Sequence, residues 1–122
     1  GPKPQLTRVF VNLISNSVQA IENAQGEMRD KGETPFQGQV LVSLRLSNKD
    51  GFYDIVFEDN GPGVSDENRS RLFTPNFTTK SNGTGLGLSI CRNIVEKCEG
   101  EIFYSKSFSL MGACFTVRYP RS

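Results

Sequence analysis

Gly83-Thr84-Gly85-Leu86-Gly87-Leu88-Ser89-Ile90 runs from a glycine-rich loop straight into a helical pattern. Glycine lets the backbone adopt positive φ and brings N–H groups close to a ligand. A helix starting just after such a loop adds donors and the positive end of its dipole, which suits phosphate. A second cluster, Asp59-Asn60-Gly61-Pro62-Gly63, closes a strand-like run upstream. Either cluster alone fits a plain turn. Together, in this order and behind an amide-rich helix, they imply a pocket for a nucleotide and its metal.

Working outward, the pattern from Gln5 to about Ala24 is helical, with Leu6, Val9, Phe10, Leu13, Ile14, Ile21 and Ala24 forming a broad apolar face. Asn12, Asn16, Gln19 and Asn23 recur at spacings of four, three and four, and so line one narrow strip. A polar strip is usually a solvated face, but such faces mix Lys, Glu and Arg. Neutral amides supply both donors and acceptors, which suits a ligand site. Gln25 to Gly38 is polar, contains three glycines and a proline, and reads as a mobile connection.

Val40, Val42, Leu44 and Leu46 alternate as in a half-buried strand, and Asn48-Lys49-Asp50-Gly51 supplies a hairpin turn. Tyr53, Ile55 and Phe57 share one parity of the next strand, and Asp59 continues it. A carboxylate pointing with the apolar set needs donors to satisfy it. Ser65-Asp66-Glu67 caps a short helix to about Leu72. A further helix is expected from about Leu86 to Glu99, stopped at Gly100, followed by strands Glu101 to Ser105 and Ala113 to Tyr119. Phe115, Val117 and Tyr119 alternate on the last strand. The order α-β-β-α-α-β-β predicts a two-layer α/β sandwich, its sheet covered on one face by helices.

The 122 residues fit one domain. A net charge of +1 argues against a nucleic-acid scaffold or a polybasic membrane binder. Cys91, Cys98 and Cys114 form no C-x-x-C pair and read as reduced, structural thiols in a cytosolic setting. No apolar run approaches the ~20 residues of a membrane span, and no signal-peptide pattern opens the chain. The chain holds no histidine.

These residues resemble the catalytic and ATP-binding domain of sensor histidine kinases, within the superfamily that also holds type II topoisomerases, heat-shock chaperones and mismatch-repair ATPases. Four family boxes appear in order: Asn12-Leu13-Ile14-Ser15-Asn16, Asp59-Asn60-Gly61-Pro62-Gly63, Leu72 to Lys80, and Gly83 to Leu88. Gly112-Ala113-Cys114-Phe115-Thr116 resembles the closing strand, where a threonine often helps hold the adenine. The resemblance implies the Bergerat ATP-binding fold, with a mixed, mainly antiparallel sheet, spanning residues 1–122 as one domain. Measured against the family pattern, the chain is expected to lack the strand that usually precedes the first helix, leaving one sheet edge in doubt.

Residue by residue, the resemblance implies that Asn16 ligates Mg²⁺ bridging the phosphates and that Asp59 accepts a hydrogen bond from the adenine amino group. Gly61 and Gly63 would let the backbone pass close to the base. Residues 65–87 would form a mobile lid, with Lys80 meeting the phosphates and Gly83, Thr84, Gly85, Leu86, Gly87 and Leu88 around the triphosphate. Phe73 and Phe77 would either pack the lid or anchor it to the core. Asn12 and Gln19 would handle phosphate, and Thr116 would lie by the adenine. Many relatives carry lysine where this chain has Gln19; glutamine donates a hydrogen bond but brings no charge.

Hydrolysing relatives carry glutamate at position 12 as general base, and an amide does not take up a proton near neutral pH. The implied activity is therefore transfer of the γ-phosphoryl group of ATP to a histidine on a separate dimerisation domain, and onward to the receiver domain of a response regulator. No catalytic residue is assigned within the chain. The implied cofactors are ATP and Mg²⁺; the implied setting is cytoplasmic, without nucleic acid and without membrane contact by this domain. An anti-sigma-factor-type serine kinase, a hydrolysing chaperone or topoisomerase module, and a catalytically silent nucleotide-binding module remain alternatives.

Overall fold

The computed structural model describes residues 3–75 and 87–121. Helix α1 (Lys3–Asp30) leads into strands β1 (Val40–Leu46) and β2 (Phe52–Asp59), a short α2 (Asp66–Arg69), α3 (Gly87–Lys97), and strands β3 (Glu101–Lys106) and β4 (Ala113–Pro120). The strands form one sheet in the order β1-β2-β4-β3. All three ladders are antiparallel, so the parallel component of a mixed sheet has no counterpart among the described residues.

The connection expected from Gln25 is helical as far as Asp30. Gly26 alone costs a helix only about 1 kcal/mol, and good helix formers surround it. The stop is Gly32, at φ 77: its N–H donates to the Arg29 carbonyl and the Glu33 N–H donates to that of Met28. This is the paired 5→2 and 6→1 bonding of a left-handed C-terminal cap. At the end of α3 the same two bonds form, but Glu99 takes the left-handed conformation (φ 64) and Gly100 follows it. Gly100 serves another need, since a Cβ there would collide with the Arg118 carbonyl oxygen on β4.

Helices α1 and α3 cover one face of the sheet. Val9 and Leu13 of α1, Cys91 and Val95 of α3, and Phe57, Phe115 and Val117 of the sheet form the buried core. Phe10 adds a ring contact to Phe57 at 5.5 Å between centroids. The other face carries a row of alternating charge, Arg45–Asp54–Arg118–Glu101, set by register across all four strands. Within it Arg118 Nε and Nη2 donate to Asp54 Oδ1 and Oδ2 at 2.9 and 3.2 Å. That guanidinium bond holds the Asp54 carboxyl below its ordinary range although burial opposes it, with lesser help from Ser47 and Arg45.

β1 departs from the half-buried strand expected. Leu44 is 68% and Leu46 64% exposed. β1 lies at the sheet edge, and alternation sorts its side chains between faces without bringing helices over them.

Candidate functional site

β2 ends at Asp59, whose parity directs it with Phe57 toward the helices, and which is only 2% exposed. Oδ1 accepts the Gly61 N–H at 3.0 Å and the Ala113 N–H at 3.1 Å. Two backbone donors on one oxygen compensate burial of the charge and fix the carboxylate plane. Among the described residues no hydrogen bond reaches Oδ2.

The loop beyond Asp59 is shaped by close approaches. A Cβ on Gly61 would lie 3.3 Å from Asp59 Oδ1 and 3.4 Å from Ile21 Cγ1 of α1, so helix and loop meet there. Gly63 takes φ 71, and its α-carbon runs beside the Tyr104 hydroxyl. Asn60 does not point at the pocket's business end: its Nδ2 donates to the Gln37 carbonyl and its Oδ1 accepts the Gln39 N–H, each at 2.8 Å, tying the loop to the segment before β1.

The amide strip runs along α1. Asn16 and Gln19 are half-buried, and Gln19 Nε2 donates to Asn23 Oδ1 at 3.1 Å. Asn12 is engaged on α3, where its Nδ2 reaches Cys91 Sγ at 3.7 Å. Burial pushes the Cys91 thiol up, the Asn12 bond and the Arg8 charge opposing it, which leaves a neutral sulfur to accept this bond. The Asn12 amide thus links the two helices through one of its donors.

Ser65 caps α2, its hydroxyl accepting the Asn68 N–H at 3.3 Å. Leu72 is buried, and Phe73 meets Phe115 edge-on at 6.3 Å, so this aromatic anchors the start of its box to the core. Gly87 opens α3, and Leu88 packs against the core. Phe77, Lys80, Gly83, Thr84, Gly85 and Leu86, with the rest of residues 76–86 of the expected lid, lie outside the described residues.

Thr116 is a correction. It pairs with Val56 on one side and Phe103 on the other, on the sheet face away from Asp59. Its place beside the carboxylate is taken by Ala113, through the backbone N–H. The alternation of Phe115, Val117 and Tyr119 already contained this, because Thr116 has the opposite parity. The contact of Gly112 with Asp59 and the part of Tyr104 are not in the sequence reading: a Cβ on Gly112 would lie 2.5 Å from Asp59 Oδ1, and the Tyr104 hydroxyl accepts the Val64 N–H at 2.9 Å.

The site thus sets a buried carboxylate acceptor and a closely packed glycine loop against α1, the helix that carries the amides. Comparison with known proteins gives the family. The family described as histidine kinase-, DNA gyrase B- and HSP90-like ATPase matches residues 1–122. Sensor histidine kinase ZraS of Salmonella typhi is 36% identical over 116 residues, 95% of this chain and 22% of that protein. Sensory histidine kinase/phosphatase NtrB of Klebsiella oxytoca is 34% identical over 102 residues, 83% of this chain and 28% of the relative. Among solved structures, the nucleotide-free catalytic domain of histidine kinase ThkA superposes with a TM-score of 0.70 at 29% identity, covering 94% of this chain and 67% of that one. The chain thus spans about a fifth of the length of the first of these curated relatives.

Proposed function

The chain belongs to the histidine kinase-, DNA gyrase B- and HSP90-like ATPase family, and from that premise we propose that it is the ATP·Mg²⁺-binding catalytic domain of a two-component sensor histidine kinase. The observation that carries this reading is Asp59, buried at a strand end with both protein donors on Oδ1 and Oδ2 left for the adenine amino group. Gly61 and Gly63 let the base lie close to the backbone, and Gln19 offers an uncharged donor toward the phosphates. Lys80, Gly83, Thr84, Gly85, Leu86, Gly87 and Leu88 belong, in this reading, to the lid and hinge that close over the triphosphate.

The donor set suits magnesium. Asn16 offers a neutral amide oxygen, and among the described residues no group of three His, Cys, Asp or Glu could form a protein-made cage. Mg²⁺ takes few ligands from protein and keeps phosphate and water oxygens for the rest. When bound, it neutralises charge on the phosphates. The chain's own part is to orient the nucleotide for in-line transfer, where positioning and electrostatics do most of the catalytic work.

Position 12 bears an amide and the chain contains no histidine, so neither a hydrolytic base at that position nor the phosphoryl acceptor is supplied here. The acceptor is a histidine on a dimerisation domain of the same parent protein, and the next acceptor is an aspartate of a receiver domain. We place the domain on the cytoplasmic side. No helix among the described residues is long and apolar enough to cross a membrane.

The test is to incubate the chain with labelled ATP, alone and with a separate domain carrying the acceptor histidine. Acid-labile, base-stable label on the added domain is expected, slower than in the tethered parent because tethering raises effective concentration. Rapid release of free phosphate by the chain alone would overturn the reading in favour of a hydrolysing ATPase.

A further inference from the structure

We propose that Tyr104 is a positioning residue for nucleotide binding, acting through its hydroxyl on the far end of the loop that follows Asp59. The inference rests on the adenine-site reading above and adds to it a residue outside the glycine and asparagine boxes.

The loop has two side-chain anchors. At its start the Gly61 N–H is held by Asp59 Oδ1 at 3.0 Å. At its end the Val64 N–H is held by the Tyr104 hydroxyl at 2.9 Å, across 40 residues of sequence. Between them lie Pro62, which has no N–H to give, and Gly63 in the left-handed region at φ 71. A Cβ at Gly63 would lie 3.3 Å from the Tyr104 hydroxyl and 3.6 Å from the Gly112 carbonyl carbon, so the loop is wedged between β3 and the start of β4.

Tyr104 is itself well fixed. It stands opposite Phe115 in the β3–β4 ladder, and the two rings meet at 5.2 Å and 63°. Phe115 is in the buried core, so the phenol is a post planted in the sheet, its polar tip reaching the loop. Above the ring lies the Arg69 guanidinium at 5.2 Å, which sets α2, the element leading out of the loop, on the same support.

The chemistry separates cleanly by substitution. Tyr104→Phe keeps the ring on Phe115 and beneath Arg69, and deletes only the acceptor for Val64 N–H. The loop then keeps its Asp59 anchor and loses the other. Because the loop borders the base and not the phosphates, ATP and ADP should be affected alike.

The experiment measures ATP and ADP affinity by calorimetry for wild type, Tyr104→Phe and Asp59→Asn, with amide hydrogen exchange on each. For Tyr104→Phe, affinity should fall about 2- to 10-fold and equally for both nucleotides, as loss of one hydrogen bond predicts. The Val64 amide should exchange faster while those of Phe115 and Val117 stay as protected as in wild type. Unchanged affinity despite faster Val64 exchange would overturn the proposal. So would a loss of affinity matched by faster exchange at Phe115 and Val117, which would make Tyr104 merely a core residue. Weakening by Asp59→Asn alone would sink the Tyr104 role and leave the adenine site standing; no effect of either variant would sink both.

Discussion

Gly112 lies directly against Asp59: a Cβ built on it would come within 2.5 Å of the carboxylate Oδ1, and nearer still to the Asp59 carbonyl oxygen. The carboxylate keeps its place because position 112 has no side chain. Gly112→Ala should displace Asp59 and cost about 1–3 kcal/mol of stability, the usual penalty of overpacking. ATP affinity should drop with it. Thermal unfolding and calorimetric titration of the same preparation check both.

Asp59→Asn separates orientation from charge. An asparagine can still accept the Gly61 and Ala113 N–H groups on its oxygen, so folding should change little. Its nitrogen then replaces Oδ2 and presents a donor to the donating amino group of adenine. ATP binding should weaken by about 1.5–3 kcal/mol, as for a hydrogen bond to a charged group. An affinity equal to wild type in the folded variant removes Asp59 from base recognition.

Asn16→Ala addresses the metal. ATP affinity should fall in the presence of Mg²⁺ and change much less in its absence, since a lone amide oxygen adds to a coordination sphere filled mostly by phosphate and water. The measurement is a titration with and without EDTA. Equal losses in both conditions would assign Asn16 to the helix or the base.

The Asp54–Arg118 pair gives the fold a pH dependence. The folded carboxyl titrates below its ordinary value because Arg118 binds its charged form. Its contribution is therefore fully present above the unfolded-state pKa and is lost as pH falls through the lower folded-state pKa. Asp54→Asn should lose about 1.5–3 kcal/mol near neutral pH. That difference should shrink on acidification, as pH falls below the ordinary carboxylate range and on through the lower folded-state pKa. Urea unfolding of both proteins across this range is the check.

Local pattern made parts of this molecule readable and left others out of reach. The burial of Asp59 follows from counting parity along one strand, with no knowledge of its neighbours. The same count, carried along β4, turns Thr116 away from the site; family likeness pointed the other way, and the register decides. The end of α1 was misplaced because a glycine inside a helix is survivable, and only the bonds around Gly32 distinguish a stop from a weak point. The exposure of Leu44 and Leu46 could not be read from alternation, since whether helices reach a strand depends on its position in the sheet order. Tyr104 and Gly112 act on residues about 40–50 positions away in the chain, and nothing in their immediate sequence announces those contacts.

One helix, α1, carries the core through Val9, Leu13 and Ile21 and, in the function proposed above, the pocket flank through Asn16 and Gln19. Inserting a single residue between them would turn everything beyond it by ~100°, swinging amides under the sheet and aliphatics into the pocket. A substitution along this flank leaves the register of its neighbours in place, but a change in the count of residues does not. Insertions and deletions in descendants of this sequence should therefore collect after Gly32, in the stretch before β1, and stay out of the span from Val9 to Ile21.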